Sequence, residues 1–471
     1  MIRAYLEHVK SGKIDIVDYV TKALDSCKKI NSEYNYFNVI CEKEAIEQAK
    51  SVSKKLKEKK AGKLAGLIVS IKDNICVKGV ESTATSRILK NYKPLFDSTV
   101  VERLKKEDAI IIGKTSCDEF GFGSFNVNVG LDYKIPKNPF DRNRTTGGSS
   151  GGSGGITQKA DFVHVSIAES TGGSIECPAA FCGVIGFCPT YGFVSRNGLI
   201  SYANSFDKIG IMAKDAEDIR LVMDVISGTD ESDSTSLKLD KAKILNEISG
   251  KKIMIGLIKE AFGEGLDEEV NAAARTFIEK MKEQGYQVEE VSLPLTYKYG
   301  IAVYYILTAC EASTNLACLC GLRYGQESNT KCIDFDSYFS DIRTKHFNME
   351  SKRRILLGTF ARMAGYRDAY YIRATKIRTK IIEEYKELFK KYDFLISPTM
   401  PILPPKFSDI AKMEPLKVYL SDVLTVGPNL AGIPHISIPV SQKKPVGLML
   451  MADHLKDGKL INFTNKLEAM K

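Results

Sequence analysis

Short, wholly apolar runs set between amphipathic helical stretches constrain the fold of this chain more than any other feature of its sequence. Leu67-Ile68-Val69-Ser70-Ile71, Ala109-Ile110-Ile111-Ile112 and Phe394-Leu395-Ile396 are too short for helices and lack a polar face, as expected of strands buried on both sides. Between them run helical patterns. Val17, Val20, Ala23, Leu24 and Cys27 share one face of residues 14–30, and a Lys-rich helix is expected from Glu42 to about Lys60. Asp97 or Ser98 can cap a helix carrying Val100, Val101 and Leu104. Further strands are expected at 162–167, 252–258, 287–291, 436–440 and 446–451, with helices at about 267–284, 304–322 and 366–391. This alternation predicts an α/β fold with a largely parallel or mixed sheet. No composition break or internal repeat divides the chain, so a single domain over 1–471 is expected.

Composition excludes more than it selects. A hydrophobic fraction of 44% is enough for a large core, and a net charge of +9 over 471 residues is modest. No aromatic RNA-binding run, zinc-finger spacing or long basic block accompanies that charge. The eleven cysteines are scattered, and Cys318 and Cys320 have no second pair to complete a metal site, so reduced thiols and no metal are expected. The first residues, MIRAYLEHVKSGKID, lack the apolar centre of a signal peptide, and no run of about eighteen apolar residues suggests a membrane span. A cytoplasmic or organellar-matrix protein is the expectation.

Gly147–Gly155, GGSSGGSGG, is too glycine-rich to be read as helix or strand. It could be a linker, but it lies between structured segments, and Thr171-Gly172-Gly173-Ser174 follows at the end of a strand-like run. Clustered glycines also serve where backbone must approach a ligand closely. A serine in such a turn suggests nucleophilic chemistry, which needs a base and donors for an oxyanion. None of the five histidines lies in a Gly-rich turn and no G-x-S-x-G elbow is present, which argues against a Ser–His–Asp enzyme. A lysine can replace histidine as base if burial and neighbouring donors hold it neutral.

VSIKDN (69–74), GGSSGGS (147–153), STGGSIECPAAFCGVIGFCPTYGFVS (170–195) and SFDKIG (205–210) together resemble the signature blocks of the amidase signature family. The resemblance implies a large mixed sheet flanked by helices on both sides, with a catalytic core at about 62–215. It implies a Ser–Ser–Lys triad: Ser174 as nucleophile, Lys72 as base, and Ser150 as the bridging serine held by a cis peptide. Ser150 is chosen because 174 − 150 = 24 residues is the separation in the family pattern. Backbone amides around Thr171, Gly172 and Gly173 would form the oxyanion hole.

Within that family, residues 98–124, 304–325, 352–360 and 421–439 resemble the A subunits of tRNA-dependent amidotransferases. This implies hydrolysis of glutamine to supply ammonia for amidating Glu-tRNA(Gln) or Asp-tRNA(Asn), in company with a B-type subunit that binds the mischarged tRNA and a small C-type subunit. ATP and magnesium would belong to the partner, and this chain would need no cofactor. Glutamine carries an α-carboxylate and an α-ammonium; by motif, Arg354 would grip the first and Asp422 the second, with Tyr304 and Ser124 adding hydrogen bonds. Two positions depart from the family pattern: Ser170 stands where aspartate is usual and Glu176 where arginine is usual. Residues 156–161, ITQKAD, are also more polar than the family's small apolar helix. The alternatives are a stand-alone amidase of the same family and a catalytically impaired scaffold subunit.

Overall fold

The computed structural model describes residues 1–248, 250, 252–328, 334–441 and 444–470. Eleven strands form one sheet: β1 (Phe37–Ile40), β2 (Ile68–Lys72), β3 (Ile110–Thr115), β4 (His164–Ser170), β5 (Ile185–Cys188), β6 (Lys208–Ala213), β7 (Met254–Ile258), β8 (Gln287–Val291), β9 (Phe394–Pro398), β10 (His435–Pro439) and β11 (Gly447–Met451). Their order is β1-β3-β2-β4-β6-β5-β10-β11-β9-β7-β8. β3, β2 and β4 are mutually parallel, as are β9, β7 and β8, while the strands between these two groups pair antiparallel.

Both faces of this mixed sheet are covered except at its edge strand β8, which is why most of its strands read as continuous apolar runs. In β9, Phe394 and Ile396 join one core while Leu395 joins the other; in β11, Leu448 and Leu450 oppose Met449 and Met451 in the same way. This is the period-two alternation of a pleated strand with no wet side. The first core is completed by helices Ile16–Tyr34, Glu42–Lys57, Ala216–Ile226, Glu268–Glu283 and Asp457–Glu468. The second is completed by Pro294–Asn315 and Arg373–Phe389. Pro294 sits in the first turn of its helix, where its missing N–H costs nothing, so this helix starts ten residues before the expected 304. No helix among the described residues is long and apolar enough to cross a membrane.

The glycine-rich run departs from expectation. Gly151–Lys159 is a buried helix, despite four glycines in its first five positions. Propensity disfavours this, but tertiary packing demands it. A Cβ on Gly155 would lie 2.1 Å from the Tyr36 ring, and one on Gly152 would lie 2.6 Å from the Ser116 and Tyr36 carbonyl oxygens. The helix is built to let backbone press against backbone.

Candidate active site

The parallel register of β2 and β4 sets Ile71 opposite Ile167, so the C-terminal ends of both strands open at the same edge of the sheet. Lys72 closes β2 and is fully buried. Its Nζ donates to Ser149 Oγ at 2.8 Å, to the Glu169 carbonyl oxygen at 2.9 Å and to Glu169 Oε2 at 2.8 Å. The serine facing the lysine is therefore Ser149 and not Ser150. The Ser150 hydroxyl turns to the Glu169 carbonyl oxygen at 3.1 Å, and the cis peptide bond joins Gly148 to Ser149. The reason is one of length: 174 − 149 = 25 residues separate Ser149 from Ser174, one more than the family spacing, so counting back 24 lands one position late. Ser150 keeps a different place, donating its backbone N–H to the Ser174 carbonyl at 3.2 Å and so tying the two loops together.

The turn bearing Ser174 leaves the end of β4. Gly173 has φ of +154° and a Cβ there would meet Thr425 Oγ1 at 2.4 Å, so the position admits only glycine. Thr171 anchors the turn from below, its hydroxyl lying 2.7 Å from Glu169 Oε1 and 2.9 Å from Asp207 Oδ1. Of the three residues assigned to an oxyanion hole, Gly172 and Gly173 line a cavity beside Ser174. The Gly173 N–H is directed to Ser170 Oγ at 3.2 Å, so in this structure it is not aimed at the cavity.

The two departures from the family pattern meet each other. Ser170 donates to Glu176 Oε2 at 2.8 Å, and the same oxygen accepts the Ile175 N–H at 3.0 Å. Glu176 Oε1 is bound by His435 Nε2 and, at 3.1 Å, by Asn429 Nδ2. His435 Nδ1 faces the Ile433 carbonyl oxygen at 2.9 Å, and burial, with Lys208 nearby, lowers the affinity of the imidazole for a proton. Burial alone would push the Glu176 carboxyl up, but His435, these donors and Lys208 together hold it well below the usual carboxylate range. Glu176, His435 and Cys188 also come close enough to suggest a metal site. The Glu176 oxygens are already taken by these donors, and the Lys208 ammonium acts on the same cluster, so the residues do not fit a cation.

The far side of the cavity is lined by Arg354, Asp422, Tyr304 and Tyr305. It is narrow, with a free volume of about 10 Å³. Arg354 projects from the helix Met349–Arg362, its Nε donating to Glu350 Oε1 at 2.8 Å and its Nη1 to the Tyr202 hydroxyl. Its guanidinium lies 4.9 Å from the Tyr305 ring centroid and within 5.6 Å of those of Phe122, Tyr419 and Tyr202, an aromatic box suited to a desolvated cation. Arg353 points away to the other oxygen of Glu350. Asp422 accepts from Ser124 Oγ at 2.8 Å and from the Tyr305 hydroxyl at 2.6 Å, and burial pushes its carboxyl up to about 6. The phenol bonded to the carboxylate is thus that of Tyr305. Tyr304 contributes its ring, packed so tightly on Gly172 that a Cβ there would lie 2.3 Å from Cζ.

Of the residues expected from the sequence, Ser174, Arg354 and Asp422 line one cavity, Ser124 is bonded to Asp422, and Lys72 lies against Ser149. Sequence reasoning did not select Ser149, Glu169, Tyr305 or His435. Glu169 and His435 do leave a signal: Glu169 is the one acidic residue of β4, and His435 the one ionisable residue of β10. Such a residue needs a buried partner.

A glycine-rich turn presenting a serine, with a buried lysine and a second serine beneath it on a mixed sheet, is the arrangement of an amidase. The chain belongs to the Amidase family, whose model matches residues 18–461. It is 44% identical over 472 residues to the A subunit of a glutamyl-tRNA(Gln) amidotransferase of Clostridium acetobutylicum, covering 98% of this chain and 96% of that one. It is 42% identical over 477 residues to the corresponding A subunit of Sulfolobus acidocaldarius, covering 99% and 98%. Among solved structures, the A subunit of the Thermotoga maritima glutamyl-tRNA(Gln) amidotransferase superposes with a TM-score of 0.76 at 32% identity, covering 95% of this chain and 90% of that one.

Proposed function

We propose that this chain is the glutamine-hydrolysing subunit of a tRNA-dependent amidotransferase. Ser174 Oγ attacks the side-chain carbonyl carbon of glutamine while its proton passes to Ser149 and a Ser149 proton passes to Lys72 Nζ. The tetrahedral oxyanion is stabilised by amides of the 171–174 turn. Collapse expels ammonia, which takes up the proton from Lys72 through Ser149 and leaves a γ-glutamyl ester on Ser174. Water, deprotonated along the same relay, cleaves that ester and releases glutamate. Lys72 must enter the cycle uncharged to receive that proton.

The observation that carries the choice of glutamine is the convergence of Arg354 and Asp422 on the cavity beside Ser174. A cation and an anion on one small cavity match the carboxylate and ammonium of a free amino acid, and neither is needed by an aryl or aliphatic amide. The likeness to proteins named for glutamyl-tRNA(Gln) amidation supports the same reading. The ammonia would serve a B-type subunit that binds mischarged tRNA and uses ATP and magnesium, with a small C-type subunit completing the assembly. This chain would supply only its own side chains and no cofactor.

Ammonia release from glutamine by the chain co-expressed with its B and C partners tests the reading, beside a Ser174→Ala control. Release that vanishes in the control is expected. Turnover of simple amides with none of glutamine would contradict it and favour a stand-alone amidase.

A further inference from the structure

Lys72 and Glu169 form an ion pair at 2.8 Å with neither side chain exposed to solvent. The three donors of an ammonium are all committed, to Ser149, to the Glu169 carbonyl and to the Glu169 carboxylate. An ammonium bound in this way has no lone pair to receive a proton from Ser149. A carboxylate at this distance favours the charged form of a lysine over the neutral one. We infer that Glu169 is a positioning residue that sets the protonation state of Lys72, so that the pH at which Ser174 becomes reactive is fixed by this pair. The inference rests on Lys72 acting as the base.

The surrounding groups leave Glu169 as the anion that Lys72 meets at bonding distance among the described residues. Burial and Glu169 push the Asp207 carboxyl up, to about 8. The Thr171 hydroxyl lies between the two carboxyl groups, 2.7 Å from Glu169 Oε1 and 2.9 Å from Asp207 Oδ1. Asn74 Nδ2 donates to Glu169 Oε2 at 2.9 Å without adding charge. Asp118 is raised to about 7 by burial and spends its carboxylate on the Asn126 and Asn128 amides. Asp73 turns to Thr83, Thr85 and Asn38. Lys114 is held by the Ile75 carbonyl at 2.6 Å and Ser82 Oγ at 2.7 Å. Burial keeps the Cys117 thiol neutral, pushed up to about 12, and raises Cys188 as well.

Glu169→Gln keeps the size and an acceptor while removing the charge. The readout is the rate at which a fluorophosphonate probe labels Ser174 in the assembled complex, followed by intact mass against pH. In labelling, Ser174 Oγ bonds to phosphorus, fluoride leaves, and the serine proton passes through Ser149 to Lys72. Without the anion, buried Lys72 sheds its proton more easily, so the acidic limb moves to lower pH, by about one to three units for an opposite charge at this range. Glu169→Asp, which draws the carboxylate back by one methylene, is expected to move the limb in the same direction by less, and it decides the matter if the Gln variant does not fold. A rate lowered equally at every pH, with the limb unmoved, would overturn the inference while leaving the glutaminase reading intact. Labelling does not require glutamine, so a complex inert toward glutamine still tests Glu169. Absence of labelling in the unsubstituted complex would overturn the nucleophile assignment, and this inference with it.

Discussion

Lys72, Glu169 and Ser149 are held by the ends of parallel strands and the start of a buried helix, and each is fully buried. Arg354 and Asp422, across the cavity, come instead from a helix and from the turn after residues Pro415–Leu420, held by tyrosines, a serine and a glutamate. The first end is fixed by backbone register, so its chemistry can be relocated only by changing the fold. The second is fixed by side chains, so its specificity can change while the sheet stays as it is. Proton transfer needs the former, because a relay through two serines fails if either moves by an ångström. Substrate choice needs only the latter.

Within the side-chain-built end, removing the cation should have the largest effect. Arg354→Ala strips glutamine of its carboxylate partner and leaves Glu350 with Arg353 and Tyr419 alone, a loss of about 2–5 kcal/mol, or roughly 30- to several thousand-fold in kcat/KM. Steady-state kinetics on glutamine should show this loss, while the rate of fluorophosphonate labelling stays close to that of the unsubstituted chain.

The backbone-built end should break through stability. Glu176→Gln removes one partner of the buried contact with His435 and is expected to cost about 3–5 kcal/mol in denaturant unfolding. A cost below about 1 kcal/mol would show that this network does not brace the turn.

Gly172→Ala strikes where the two ends touch. The added methyl would need space now filled by the Tyr304 ring, and a displacement of about 1 Å is worth roughly 100-fold in turnover. Truncating the ring with Tyr304→Leu should restore part of the loss.

The smallest effect is a pH dependence at the binding end. Asp422 titrates at about 6, so it is an anion above that value and loses its charge as pH falls through it. KM for glutamine should rise about tenfold per pH unit below 6 and be flat above it. Asp422→Asn should raise KM throughout and abolish that slope.

Much of the sheet was legible because its strands are buried on both faces and therefore read as unbroken apolar runs. The expected strand at 394–396 lies within β9, every residue of which is buried. The glycine run was illegible as helix because its conformation is dictated by Tyr36 and Ser116, more than thirty residues away, and not by local propensity. Ser174 and Lys72 were legible from their blocks. The choice between Ser149 and Ser150 was not, since spacing alone cannot locate a one-residue insertion. Glu169 and His435 went unread because their meaning lies in partners on other elements, Lys72 on β2 and Glu176 at the start of the helix Glu176–Cys182.

The most direct test of the account is a side-by-side assay of Ser149→Ala and Ser150→Ala in the assembled complex, by initial rates of ammonia release from glutamine. Ser149→Ala should lose about 100- to 10,000-fold in kcat, as expected when a proton relay is cut. Ser150→Ala loses one hydrogen bond to the Glu169 carbonyl and should fall by less than about tenfold. Equal losses, or the larger loss at Ser150, would contradict the Lys72–Ser149–Ser174 relay.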